Sequence, residues 1–139
     1  MGAIACESGL GLAYFDAEQA FVQSTLEEDI FMRLPQGRGE MSGKILRLNC
    51  SPYGVKQASR SWHKHLVTHM NSLGFEQSRA DACVVRLIES GSVSIVTVVH
   101  ADDIVAVGAK SGCDQFCEDL NRLVPINNLG ELRWYACYR

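Results

Sequence analysis

Two adjacent carboxylates, Asp102 and Asp103, interrupt what would otherwise be one long apolar stretch. Residues 93–99 (VSIVTVV) precede them, and residues 104–107 follow, ending at Gly108. Two β-type runs flanking a short acidic tip, His100-Ala101-Asp102-Asp103, read as a hairpin. Paired acids in such a place cost several kcal/mol if they are desolvated without a partner. No lysine or arginine lies within six residues on either side. A divalent cation would resolve the repulsion. Asp16 fits the same logic, because it ends an apolar run at residues 10–15 just before a short helix. If that run lies beside the hairpin, three carboxylates converge. Hard oxygen donors suit magnesium, which keeps several waters and also binds phosphates. Two such ions about 3.5–4 Å apart clamp the attacking and leaving oxygens of a phosphoryl transfer. Each acid alone has a plainer reading: a solvated turn for Asp102-Asp103, a helix cap for Asp16. Only the whole arrangement displaces those readings.

The elements that must position these acids follow from hydrophobic patterning. Residues 10–15 form a buried strand, and residues 17–25 make one or two helical turns with Ala20 and Phe21 facing inward. Residues 29–34 (DIFMRL) and 44–49 (KILRLN) are strands joined by a glycine-bearing loop, and so make a hairpin. Residues 56–73 are the clearest helix: Ala58, Trp62, His65, Leu66, His69 and Leu73 recur at three- and four-residue spacings, and Gly74 stops it. Residues 82–88 form a strand before the Ser90-Gly91 turn. Residues 111–123 form a second amphipathic helix with Ser111 as N-cap, and residues 129–138 form a last strand pair or edge segment. Interleaved helices and recurring hairpins predict an α+β fold, an antiparallel sheet packed on helices.

The 139 residues suit a single domain, and 47% apolar content with 21% charge excludes a disordered chain. A net charge of −3 counts against a free-standing nucleic-acid binder. Six cysteines (Cys6, Cys50, Cys83, Cys113, Cys117 and Cys137) form no C-x-x-C pair, which leaves free thiols in a reducing compartment. No secretory leader is evident in MGAIACESGL, and position six is Cys where myristoylation wants Ser or Thr. No apolar run reaches the roughly 18–20 residues of a membrane span. The expected location is therefore intracellular, in cytoplasm or nucleus. His65 and His69 share a metal-ligand spacing that His63 and His100 could join, but no glutamate stands between them as H-E-x-x-H requires, and a packed helix face is the reading taken. Cys113 and Cys117, also four apart, read as buried structural thiols.

Ordered blocks along the chain carry a resemblance. The first is Phe15-Asp16-Ala17-Glu18-Gln19-Ala20-Phe21-Val22, then Leu26-Glu27-Glu28-Asp29-Ile30-Phe31-Met32 and Leu34-Pro35-Gln36-Gly37. The second is Pro52-Tyr53-Gly54-Val55-Lys56-Gln57-Ala58 with Arg60 and Trp62, then Leu73-Gly74-Phe75 and Ala80-Asp81. The third is His100-Ala101-Asp102-Asp103-Ile104, and a weaker fourth is Asn128-Leu129-Gly130-Glu131-Leu132. In order and spacing, over roughly residues 10–135, the set resembles the reverse transcriptase of copia-type retrotransposons. The family pattern reads D-V-K-T-A-F-L, L-E-E-E-I-Y-M, L-Y-G-L-K-Q-A-P-R-x-W, Y-V-D-D-I and D-L-G-E-L at these places.

The resemblance implies a polymerase palm with partial fingers over residues 1–139, and an RNA-directed DNA polymerase activity. The primer 3′-oxygen would attack the α-phosphate of an incoming deoxynucleotide, on an RNA or DNA template. Asp16, Asp102 and Asp103 match the catalytic carboxylates that hold two magnesium ions, with manganese the alternative. Phe21 matches the aromatic that blocks a ribose 2′-hydroxyl, and Gln57 a glutamine that contacts the nucleotide. Lys56 and Arg60, on the same opening helical turn, would meet phosphate or template backbone. Further fingers, a thumb and a ribonuclease H region are expected outside this chain, and binding of primer and template is expected to be weak without them. The sequence departs from the family at His100-Ala101, Pro52, Ser59, Asn127-Asn128 and Trp134-Tyr135-Ala136-Cys137-Tyr138. Two other readings stay open: a catalytically inactive remnant serving as a small structural or interaction domain, and a different palm-like nucleotidyl transferase or cyclase.

Overall fold

The computed structural model describes residues 10–23, 25–50 and 58–131. The elements run β1 (Gly11–Ala17), α1 (Ala20–Gln23), β2 (Thr25–Arg33), a 3-10 turn (Gly39–Met41), β3 (Ile45–Cys50), α2 (Ala58–Ser72), β4 (Phe75–Gln77), β5 (Val84–Glu89), β6 (Ser92–His100), β7 (Asp103–Gly108), α3 (Lys110–Asn121) and β8 (Ile126–Glu131). Six strands make one sheet in the order β4-β5-β6-β7-β1-β8, and every pairing in it is antiparallel. β2 and β3 form a separate antiparallel pair. Helices and an antiparallel sheet therefore share the chain, as the patterning predicts.

Alternation along the strands sends one set of side chains into the core. Phe15, Val85, Ile95, Val99, Ile104 and Ala106 of the sheet meet Trp62, Leu66 and Met70 of α2 and Cys113, Phe116 and Leu120 of α3. Phe116 sits at the middle, its ring edge-on to Phe15 at 5.9 Å and tilted against Phe75 at 4.8 Å. Burying each large apolar side chain contributes about 1.5–3 kcal/mol, so this layer dominates the stability. Thr97, fully buried within β6, donates its hydroxyl to the Val85 carbonyl at 2.7 Å, which removes the penalty of burying it. Gly108 closes β7 where a β-carbon would stand 2.9 Å from the Ser94 carbonyl oxygen and 3.1 Å from Ile95. That contact leaves no room for any other residue without a shift.

Several boundaries differ from the sequence expectation. Strand β1 runs on through Asp16 to Ala17, and Gln19 adopts a left-handed φ of 47°, so the following helix keeps only one turn. Ser111 is not the N-cap: α3 opens at Lys110 behind Ala109, whose short side chain makes no capping bond, and Ser111 lies inside the first turn. The helix ends at Asn121, where the Leu123 and Val124 amides both turn back to the Leu120 carbonyl. Strand β8 starts at Ile126 rather than 129, and the rest of the expected last segment lies outside the described residues. Strand β4 was not expected: three residues are too short to leave a periodic signal, and its pairing with β5 makes it a strand.

Candidate functional site

The acids come together through strand register. β1 pairs with β7 so that Asp16 lies directly opposite Asp103, and β6 pairs with β7 so that His100 lies opposite the same residue. On its other side Asp16 faces Asn127 of β8. His100, Asp103, Asp16 and Asn127 therefore form one polar row across four strands. Directly opposed side chains share a face, with β-carbons about 4.5–5.5 Å apart. Phe15, Ala17 and Ile104 point into the core, so the alternating Asp16 and Asp103 point to the opposite face. The row behind them on that face is apolar: Tyr14, Val105 and Val98, with Leu12, Val107 and Val96 beyond.

The turn itself is tighter than the four-residue tip read from the sequence. His100 and Asp103 are the last paired residues, and Ala101-Asp102 make the bend. Ala101 holds a left-handed φ of 53°, which costs a residue with a β-carbon about 1–2 kcal/mol. Two contacts hold it there. The buried Trp62 indole N–H donates to the Ala101 carbonyl at 2.7 Å, and the Ala17 amide donates to the Asp102 carbonyl at 2.9 Å. Trp62, expected as a core residue, is that and also the link from α2 to the acidic turn.

The electrostatics are those of crowded like charge. Burial, then the carboxylates of Asp102, Asp103 and Glu18 in that order, raise the Asp16 carboxyl above its ordinary value. Among the described residues no lysine or arginine forms an ion pair with any of the three acids. Oxygen donors pressed together without a counter-charge fit a hard cation. Among the described residues no three His, Cys, Asp or Glu side chains gather closely enough to hold a metal ion. Asp102 sits in the bend, one residue before Asp103, and its charge acts on the Asp16 carboxyl more strongly than that of Asp103 does. The pair in register is Asp16 and Asp103.

The Tyr14 hydroxyl donates to Asp103 Oδ1, a contact the sequence reading missed. Its only sequence signal is a hydroxyl two residues before Asp16, hence on the same face of the strand. Phe21 sits on α1, half-buried and packed against the core. Arg60 is exposed on the first turn of α2, while Lys56 and Gln57 lie outside the described residues. His65 and His69 pack edge to face at 4.5 Å, and burial, then His69, lowers the His65 pKa. Burial pushes both the Cys113 and Cys117 thiols up, which disfavours reactive thiolates and agrees with structural roles. No helix among the described residues is long and apolar enough to cross a membrane.

Comparisons with known proteins give this geometry its context. The family model described as reverse transcriptase (RNA-dependent DNA polymerase) matches residues 1–137. The chain is 31% identical over 131 residues to the retrovirus-related Pol polyprotein from transposon TNT 1-94 of Nicotiana tabacum, covering 91% of this chain and 10% of that polyprotein. It is 30% identical over 107 residues to the Pol polyprotein from transposon RE2 of Arabidopsis thaliana, covering 76% of this chain and 7% of the relative. It is 26% identical over 132 residues to the transposon Ty1-MR1 Gag-Pol polyprotein of Saccharomyces cerevisiae, covering 92% and 7%. The chain thus spans a tenth or less of the length of these relatives. No solved structure matches it. With a family model covering nearly every residue and transposon Pol polyproteins among its relatives, the chain belongs to the reverse transcriptase family.

Proposed function

We propose that this chain is the palm, with part of the fingers, of a copia-type reverse transcriptase, and that Asp16, Asp102 and Asp103 are its catalytic, metal-holding carboxylates. The observation that carries the reading is the register that sets Asp16 opposite Asp103, beside a bend bearing Asp102, on the sheet face away from the helices. Magnesium, held by these carboxylates, would supply charge neutralisation at the phosphates and acidify the attacking hydroxyl. The protein's own contribution is placement. A strand pair fixes two acids, and the Trp62 and Ala17 bonds fix the bend that carries the third.

In this reading the substrates are deoxynucleotide triphosphates and a primer on an RNA or DNA template. Phe21, five residues beyond Asp16 on α1, is the side chain that crowds a ribose 2′-hydroxyl. Gln57 contacts the incoming nucleotide, and Lys56 and Arg60 meet phosphate. The second reading, an inactive remnant, draws on the absence, among the described residues, of three metal-ligating side chains gathered closely enough to hold an ion. Primer extension with magnesium separates the two. Extension by the chain that is lost in Asp102→Asn supports the polymerase. Absence of extension, with magnesium or manganese and at high enzyme concentration, supports the remnant. A preference for deoxynucleotides that relaxes in Phe21→Ala tests the gate.

A further inference from the structure

Resting on the carboxylate reading above, we propose that Tyr14 is a positioning residue for Asp103: its hydroxyl takes one carboxylate oxygen so that the other keeps a fixed direction for a divalent cation. Tyr14 stands directly opposite Val105, one row behind the acids on the same sheet face. Asp103 is its diagonal neighbour. Diagonal neighbours in an antiparallel pair are about 7–8 Å apart, within reach of an aromatic side chain but beyond most others. The phenol is long enough to lie past Val105 and place its oxygen against Asp103 Oδ1, 89 residues away in sequence.

Three features make this more than a surface contact. The side chain is half-buried, in a row that Val105 and Val98 otherwise make apolar. The hydroxyl is a donor to an acceptor-only carboxylate, so the bond has one polarity and is charge-assisted. Asp103 has no lysine or arginine ion partner among the described residues, so the phenol is a neutral donor that orients the acid without neutralising it. A neutral orienting group leaves the full negative charge available to a cation, whereas an ion pair would compete with it. This is the arrangement by which partners behind metal ligands tune a site, and losing such a partner typically costs about 10–100-fold in metal affinity.

The test uses the whole chain and Mn2+ as the probe, with binding followed by the loss of the free-ion electron paramagnetic resonance signal. Tyr14→Phe keeps the ring and removes only the donor. The expected result is Mn2+ binding weakened about tenfold, with a broadened bound-ion signal and a far-ultraviolet dichroism spectrum equal to that of the unaltered chain. Affinity within twofold of the unaltered chain overturns the positioning role. Asp16→Asn serves as the reference for the carboxylate site. If Asp16→Asn abolishes Mn2+ binding while Tyr14→Phe leaves it intact, the site stands and the role of Tyr14 falls. If the unaltered chain binds no Mn2+, or binds it equally in Asp16→Asn, the carboxylate reading itself fails and the proposal with it.

Discussion

Two of the antiparallel hairpins, β6–β7 and β2–β3, are held in different ways. β6 and β7 lie inside the six-stranded sheet, flanked by β5 and β1, and send Ile95, Val99, Ile104 and Ala106 into the core. β2 and β3 pair only with each other, and Phe31 and Ile45 are each 60% exposed. The Arg47–Asp29 ion pair across that second hairpin joins side chains 63% and 60% exposed, where such pairs contribute little. The first hairpin turns through a left-handed alanine gripped by a buried tryptophan; the second turns through a loop carrying Gly37, Gly39 and Gly43 at positive φ. Asp102 and Asp103 sit on the hairpin whose position is fixed by neighbours rather than by its own turn chemistry. Accuracy in this molecule is a tertiary property.

Perturbing each hairpin should expose that difference, and the largest effect is expected at its anchor. Trp62→Ala removes a fully buried ring and the donor to Ala101, and should destabilise the chain by about 3–5 kcal/mol in urea unfolding. A loss below about 1 kcal/mol would mean that the turn does not depend on α2. Ala101→Gly should act in the opposite sense. Glycine adopts the left-handed bend without strain, so stability should rise by up to about 1 kcal/mol; a fall would show that the bend is not left-handed in solution.

The charge row predicts a pH-dependent effect below that size. The Asp16 carboxyl is raised in the fold, so the folded chain holds its proton more tightly than the unfolded chain does. Stability is therefore lost as pH rises from the ordinary value of 3.8 through the raised one, and it stays lower above that. Asp16→Asn should be more stable than the unaltered chain at pH 7, by under about 1 kcal/mol given partial solvent screening. The difference should vanish below the ordinary value of 3.8. A destabilised variant at pH 7 would require an unseen counter-charge. The smallest effect belongs to the other hairpin: Phe31→Ser should change stability by less than about 0.5 kcal/mol, read by the same unfolding curves.

Much of this was legible in the residues, and the reason differs from element to element. The β6–β7 hairpin was readable because two β-branched runs face each other across four residues, and α2 because Trp62, Leu66 and their neighbours keep a helical period. That β1 lies against β7 could only be made a condition of the argument, since 86 residues separate Asp16 from Asp102 and no local pattern records which strands meet. The Tyr14–Asp103 contact was illegible for the same reason, compounded by its diagonal geometry. The Ser111 cap misled because a capping side chain two residues into a helix looks, by composition, the same as one at its start. The resemblance supplied the grouping of the three acids. The fold then distinguished the pair in register from the one in the bend.

The Ala17–Asp102 backbone bond has a consequence for how such a gene decays. Strand side chains alternate with a period of two, so sliding β7 past β1 by a single position would turn Asp103 toward the hydrophobic layer and bring its neighbour outward. Point changes near the bend leave that phase intact. A one-codon insertion or deletion that slips β7 by one position against β1 does not, and it would bury a charge while emptying the acidic row in the same stroke.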